Sequence, residues 1–239
     1  MKRQVMFLLL FAAVLCLRAQ NVQFHYDLGH SLYGDLSSRP NITTTIEMFK
    51  ADKWGSTYFF SDIDYFGDGA AGAYWEFSRE ISITPNKQWA LPLEYNGGAT
   101  SIEHTAIASR FQHALLAGGA WNWASKDFSK TFSVQLMYKR FFKSYDNTSA
   151  YNSVQLTGVW GQNFANKKGT FSGFIDFWRG EKADGHGQLV LLTEPQLWYN
   201  ATEHFSIGTE VEVSNNFIYN TYNDKKFFIN PTLAVKWNF

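Results

Sequence analysis

The sequence predicts an all-β fold, a 12-stranded antiparallel transmembrane β-barrel of the bacterial outer membrane, and three observations carry that expectation. Apolar and polar residues alternate with period two along almost the whole chain, while long amphipathic runs at helical spacing are missing. Tight polar turns alternate with longer loops, as a barrel with periplasmic turns and extracellular loops requires. The last thirteen residues place Phe227, Ile229, Pro231, Leu233, Val235, Trp237 and Phe239 on one face and Phe228, Asn230, Thr232, Ala234, Lys236 and Asn238 on the other. A strand sends successive side chains to opposite sides, so this segment has one greasy and one mostly polar surface.

The first element along the chain is a leader. Met1-Lys-Arg is a positive start, Val5 to Leu17 is an apolar run, and Ala19 offers a small residue before a cut at Gln20. The run is too short to span a bilayer, so residues 1–19 are expected to be a signal peptide and residues 20–239 the barrel. Cys16 leaves with that leader, since Leu15 stands where a lipoprotein signal needs a small residue. With no cysteine left in the barrel, disulfides and thiolate chemistry are excluded there. No other apolar run is long enough for a membrane helix, and a mean hydropathy of -0.26 suits strands with one face on a polar interior. A net charge of zero gives no support to a nucleic-acid partner.

The strands follow in order at roughly 22–33, 41–50, 54–66, 71–83, 88–96, 107–123, 130–142, 151–164, 169–180, 187–199, 205–218 and 227–239. Tight turns fall at Ala51–Lys53, Thr84–Lys87, Ser125–Ser129, Ala165–Lys168 and Asn200–His204. Between them lie the longer connections Gly34–Pro40, Gly67–Ala70, Asn96–Ala106, Lys143–Ala150, Glu181–Gly187 and Tyr219–Lys226. An even strand count puts both chain ends on one side. Aromatic residues make up 18% of the chain, a surplus that aromatic girdles at the two interfaces would use. Trp54, Trp89, Trp121, Trp123, Trp160 and Trp198 lie near the short turns and Trp237 near the chain end, although the parity of Trp198 points inward. Pro231 cannot donate to a ladder, so it is expected at a bulge or near the rim.

The terminal strand ending on Phe239 resembles the C-terminal strand of outer-membrane barrels, which implies recognition by the barrel assembly machinery. Further residues narrow the resemblance. These are Glu47-Met-Phe-Lys50, the turn Ala51-Asp-Lys-Trp54, Tyr58-Phe-Phe-Ser-Asp62, the run Tyr74-Trp-Glu-Phe-Ser-Arg-Glu-Ile-Ser-Ile83 and the ending Val235-Lys-Trp-Asn-Phe239. Together they resemble the Tsx-type nucleoside-specific channels, covering about fifty residues and the C-terminus. The resemblance implies a channel for passive uptake of small hydrophilic solutes, nucleosides first among them.

If the more apolar face of each strand meets lipid, parity assigns the interior. It receives Thr43, Thr45, Glu47 and Phe49; Tyr58, Phe60, Asp62 and Asp64; and Tyr74, Glu76, Ser78 and Glu80. Later strands add Arg110, Gln112, Gln135, Lys139, Asp176, Glu194, Glu210, Glu212 and Lys236. Rings can stack on a nucleobase, and carboxylates can bind sugar hydroxyls and base edges. The expected solute-binding residues are therefore Glu47, Phe49, Tyr58, Phe60, Asp62, Asp64, Tyr74, Glu76, Arg110, Lys139, Asp176, Glu210, Glu212 and Lys236. The bland alternative is that opposite charges pair across a plugged lumen and only hold the barrel closed.

Other chemistries find weaker support, and no catalytic residue, cofactor or metal is expected. Gly67-Asp-Gly-Ala-Ala-Gly72 fits G-x-G-x-x-G, but a strand follows it where a phosphate site needs a helix. Asp62, Asp64 and Asp68 could form a loose calcium site, and Glu181, Asp184 and His186 share one outer loop. A lipid-active enzyme would need His30-Ser31 or His113 to form a nucleophile and base. The expected partners are outer-membrane lipid, the assembly machinery and a small solute, with the chain acting as a monomer.

Overall fold

A computed structural model of the chain describes residues 20–36, 39–67, 69–101, 108–144, 149–182, 185–218 and 226–239. Residues 1–19, expected to be a leader and including Cys16, lie outside the described residues together with Asp68 and Asp184.

Twelve antiparallel strands close on themselves. They are β1 (Asn21–Asp27), β2 (Ile42–Asp52), β3 (Gly55–Phe66), β4 (Gly69–Ser82), β5 (Trp89–Ser101), β6 (Ala108–Arg110 and Ala114–Ala124), β7 (Lys130–Phe141), β8 (Tyr151–Phe164), β9 (Gly169–Glu181), β10 (Gly187–Thr193 and Gln196–Asn200), β11 (Phe205–Asn215) and β12 (Phe227–Asn238). Each strand pairs with its neighbours in sequence, and β12 closes the cylinder on β1 through Val22↔Trp237, Phe24↔Val235 and Tyr26↔Leu233. Closure satisfies backbone groups that hydrocarbon could not hydrate. The start of β1, the end of β12 and all five tight turns share one end of the barrel, and the longer connections leave from the other. No described helix is long and apolar enough to cross a membrane, which says nothing of strands.

The greasy parity is the outer surface. Phe24, Phe77, Leu93, Leu115, Leu136, Leu156, Phe171, Ile207, Leu233 and Phe239 are all exposed large hydrophobics. Most tryptophans expected at the turn end face outward: Trp54, Trp89, Trp123 and Trp237 are exposed, and Trp121 and Trp160 pack on Phe132 and Phe171. Trp198 is 1% exposed and points into the lumen, as its parity required. The small apolar core is also inside, on β6 and β7, where Ala114, Leu116 and Met137 pack with Phe141.

Several strands depart from the sequence expectation, each for a local reason. β1 stops at Asp27, not residue 33, because the Asp27 carboxylate accepts from the backbone N–H of Gly29 at 2.6 Å and the chain turns inward as a short helix, α1 (Gly29–Leu32). A Cβ on Gly29 would meet the Asn230 side chain at 2.4 Å, so a larger residue there would displace Asn230 where the turn approaches β12. β5 runs on to Ser101 where a loop from Asn96 was expected. β6 is broken at Phe111–His113, and β10 at Glu194–Pro195. Opposite the second break Gly173 has φ +155°, and a Cβ there would sit 2.6 Å from the Glu194 carbonyl.

Of the two places expected for Pro231, a bulge or the rim, the structure shows no bulge: the proline is the fifth residue of β12, counted from the loop end. The β11–β12 register is the same at Gly208↔Ala234 and Val211↔Pro231, but the ladder lapses between them. Thr209 Oγ1 donates to the Thr232 carbonyl at 2.6 Å, and Thr232 Oγ1 accepts from the Glu210 N–H at 3.1 Å. In the β6–β7 turn the Asp127 carboxylate accepts from Ser125 Oγ at 2.6 Å and from Ser129 Oγ at 2.9 Å, and these bonds hold it down to about 2. The turn thus keeps its anion until the pH falls through that value.

The two faces give a test. Leu136 lies mid-strand in β7 and is 59% exposed on the outer side. We expect Leu136→Arg to cost about 2–4 kcal/mol in urea unfolding from phospholipid vesicles. A cost near zero would contradict a lipid-facing Leu136.

Candidate functional site

The lumen has one wall with a dense set of rings and carboxylates, built by β2 to β5. Registry sets it in rows: Thr45↔Asp62↔Tyr74↔Gly98, Glu47↔Phe60↔Glu76↔Asn96 and Phe49↔Tyr58↔Ser78↔Glu94. Gly98 has no side chain, and parity turns the side chains of all the others inward. Tyr58, Phe60, Tyr74 and Phe111 form a continuous ladder of rings with centroids 5.9, 6.0 and 6.0 Å apart. Phe111 joins it from the break in β6, beside Gly98.

The carboxylates are held by neutral donors. Tyr58 donates to Glu47 at 3.2 Å and Tyr74 to Glu76 at 2.6 Å. Thr43 donates to Asp64 at 2.6 Å and Thr45 to Asp62 at 2.5 Å. Asn21 and Gln23 also reach Glu47. Lower in the lumen Asn122 and Gln135 each donate to Glu80 at 2.9 Å. Across it Thr157 donates to Asp176, and Gln196 to Glu210 at 2.6 Å.

Cations are few. Lys139 donates to Gln155 at 2.7 Å and sits 4.9 Å over each of the rings of Phe141 and Trp178. Lys236 lies 3.8 Å over Trp198. His25 bonds Thr232 and Gln23 and meets Trp198 edge-on. At the loop end Arg39 reaches in from the β1–β2 connection, 2.6 Å from Asp27 and 2.8 Å from Glu212. Asn230 donates to Glu212 beside it, and Tyr33 packs edge-on against Phe228. This connection therefore folds into the mouth and narrows it.

The structure brings together Glu47, Phe49, Tyr58, Phe60, Asp62, Asp64, Tyr74 and Glu76 on one wall, with Lys139, Asp176, Glu210, Glu212 and Lys236 inward on the others. Arg110 is a correction. Arg110↔Ala99 and Ala114↔Asn96 differ by one register step, so Arg110 shares the outward parity of Ala99 while Phe111 takes the lumenal place. Gln112 likewise is not in the lumen wall, its amide donating to the backbone carbonyls of Phe142 and Ser149. Glu94, Asn96 and Phe111 were missed. Leu91-Pro-Leu-Glu-Tyr-Asn96 carried the signal for the first two, alternating apolar and polar.

The rival chemistries do not assemble. Ser31 lies in α1 at the mouth, whereas His113 bonds Tyr95 at 2.6 Å on the β5–β6 side. His30 is occupied by the Arg39 carbonyl. The strand β4 begins inside the glycine motif, at Gly69. Among the described residues no three His, Cys, Asp or Glu side chains converge as metal ligands would, and the Asp68 and Asp184 parts of those ideas lie outside the described residues.

A closed 12-stranded antiparallel barrel with an aromatic-ringed outer surface and a polar interior is an outer-membrane β-barrel protein. The chain belongs to the family described as Domain of unknown function (DUF5020), whose model matches residues 19–239. Among solved structures it is similar to the NanC porin, with a TM-score of 0.57 and 14% identity over 92% of this chain and 98% of that one. It is also similar to the KdgM porin, with a TM-score of 0.49 and 8% identity over 92% and 98%. The OmpT outer-membrane protein of Vibrio cholerae follows with a TM-score of 0.45 and 9% identity over 87% and 68%. The likeness to the NanC porin is one of fold. None of the curated proteins matches the sequence.

The Arg39 bridge yields a prediction. Arg39→Ala strands Asp27 and Glu212, both buried, without their cation. Breaking such a bridge costs about 3 kcal/mol. We expect that loss in urea unfolding, together with faster protease cleavage within residues 28–41. Arg39→Lys should recover only part of it, since one ammonium cannot replace the guanidinium fork. Unchanged stability and cleavage would show that the bridge does not hold the connection in place.

Proposed function

We propose that the protein is a passive outer-membrane channel for small hydrophilic solutes, with nucleosides the leading candidates. The observation that carries this reading is the ladder Tyr58–Phe60–Tyr74–Phe111 with Glu47, Asp62 and Glu76 between its rings. A base can stack on the rings while its sugar hydroxyls and amino groups donate to the carboxylates. Contacts repeated along the wall let a solute enter and leave, where one deep site would trap it. The porin fold shared with the NanC porin and the resemblance of strands β2–β4 to the Tsx-type channels support the reading. We further propose that Phe239 and its strand are read by the barrel assembly machinery, that the barrel works as a monomer in lipid, and that residues 1–19 are removed as a leader.

Arg39 favours a second reading. Its connection narrows the mouth, so the barrel could serve as a poorly conducting structural element.

Planar-bilayer recording separates the two. A channel gives unitary openings that adenosine or uridine interrupts in a concentration-dependent way. Phe60→Ala should weaken that block about tenfold, the value of one lost stacking contact. No openings in either wild type or Arg39→Ala would remove the channel reading. Openings blocked by sugars or amino acids but not by nucleosides would remove only the solute.

A further inference from the structure

We propose that the β2–β5 wall binds small organic cations and that the pore passes cations in preference to anions, an inference that takes its conduction from the channel reading above.

The first ground is an excess of negative charge. Among the described residues, ion pairs inside the barrel involve only Arg39 with Asp27 and Glu212, and His25 with Glu210. Glu47, Asp62, Glu76 and Glu94 have no lysine, arginine or histidine within ion-pair distance, and their bonds come from hydroxyls and amides. Two ammonium groups act on this wall from a distance, Lys139 toward Glu76 and Glu94 and Lys236 toward Glu47, but Lys139 donates to Gln155 and lies over two rings, Lys236 lies over Trp198, and the carboxylates outnumber them. A narrow, low-dielectric passage with such walls concentrates positive charge and repels negative.

The second ground is independent of charge counting. Asn96 is 5% exposed, faces the lumen opposite Glu76, and its carbonyl oxygen has no hydrogen-bond partner. A buried acceptor left unmet beside a carboxylate suits a ligand bearing N–H donors. The third is the ladder itself. Tyr74 stands between Phe60 and Phe111 and bonds Glu76, so ring faces and a carboxylate adjoin at one place. Aromatic faces attract cations most when water is displaced. Ring faces, carboxylate and bare carbonyl together describe a primary ammonium on a small apolar body. A phosphate or carboxylate group would meet repulsion at every one of them.

Isothermal titration of the full barrel in detergent tests the site without requiring conduction. Benzylamine, protonated at neutral pH, should bind roughly tenfold tighter than benzyl alcohol, with benzoate weakest. The double variant E76Q/E94Q, shown by heat-modifiable migration to be folded, should lose that preference. Should it fail to fold, F111L keeps every charge and should still weaken benzylamine. Equal binding of the three ligands, or a preference unchanged in the variants, would overturn the site. In bilayers under a KCl gradient the reversal potential should have the sign of potassium permeation. A chloride-selective reversal would overturn the selectivity, whereas silence with benzylamine still bound would overturn the channel and leave the site standing.

Discussion

Everything in this molecule depends on the closed ring of interstrand hydrogen bonds, and within it on the seam where β12 meets β1. Seven residue pairs, from Asn21↔Asn238 to Asp27↔Thr232, join the two ends of the chain. Without that seam two strand edges would stand in hydrocarbon, where unpaired backbone groups cost several kcal/mol each. Closure also fixes parity. Once one strand has its apolar side in lipid, every neighbour must follow, and the polar residues of all twelve strands converge on one space. The chemistry of the lumen is thus a consequence of the surface outside it.

That convergence creates a problem of buried charge, and the sequence solves it in two ways. Near the mouth it supplies a cation, Arg39, between two carboxylates. Along the β2–β5 wall it supplies only hydroxyls and amides, whose bonds stabilise an anion without neutralising it. The apolar patch of Ala114, Leu116 and Met137 on β6 and β7 adjoins that wall, and Asp176, Glu210 and Glu212 face the lumen from the strands beyond it. A solute would therefore meet rings and carboxylates together on the β2–β5 wall and scattered polar groups on the rest of its path.

The strand order was legible in the sequence because period-two alternation is a local property that tertiary context only reinforces. Parity alone places Glu47, Tyr58, Phe60, Asp62, Tyr74 and Glu76 inside, because β2, β3 and the inner part of β4 keep one register. It fails for Arg110, since parity carries through a strand only while the register holds, and it slips by one residue across Phe111–His113. The inward fold of the first long connection was illegible for another reason. It is fixed by contacts between residues far apart in the chain, Arg39 with Glu212 and Gly29 with Asn230. No spacing within residues 28–41 encodes those partners. Pro231 shows an intermediate case: the missing donor was predictable, but its remedy by Thr209 and Thr232 depends on both strands together.

The two tryptophans that break the outward pattern give the barrel its own optical probe. Trp198, beneath Lys236 and beside His25, marks the turn end of the lumen, and Trp178, near Lys139 and Phe217, marks the loop end. The others face lipid or the interface, so brominated acyl chains would darken them and spare this pair. What remained of the emission would come from the interior alone, read at two depths without a label being added.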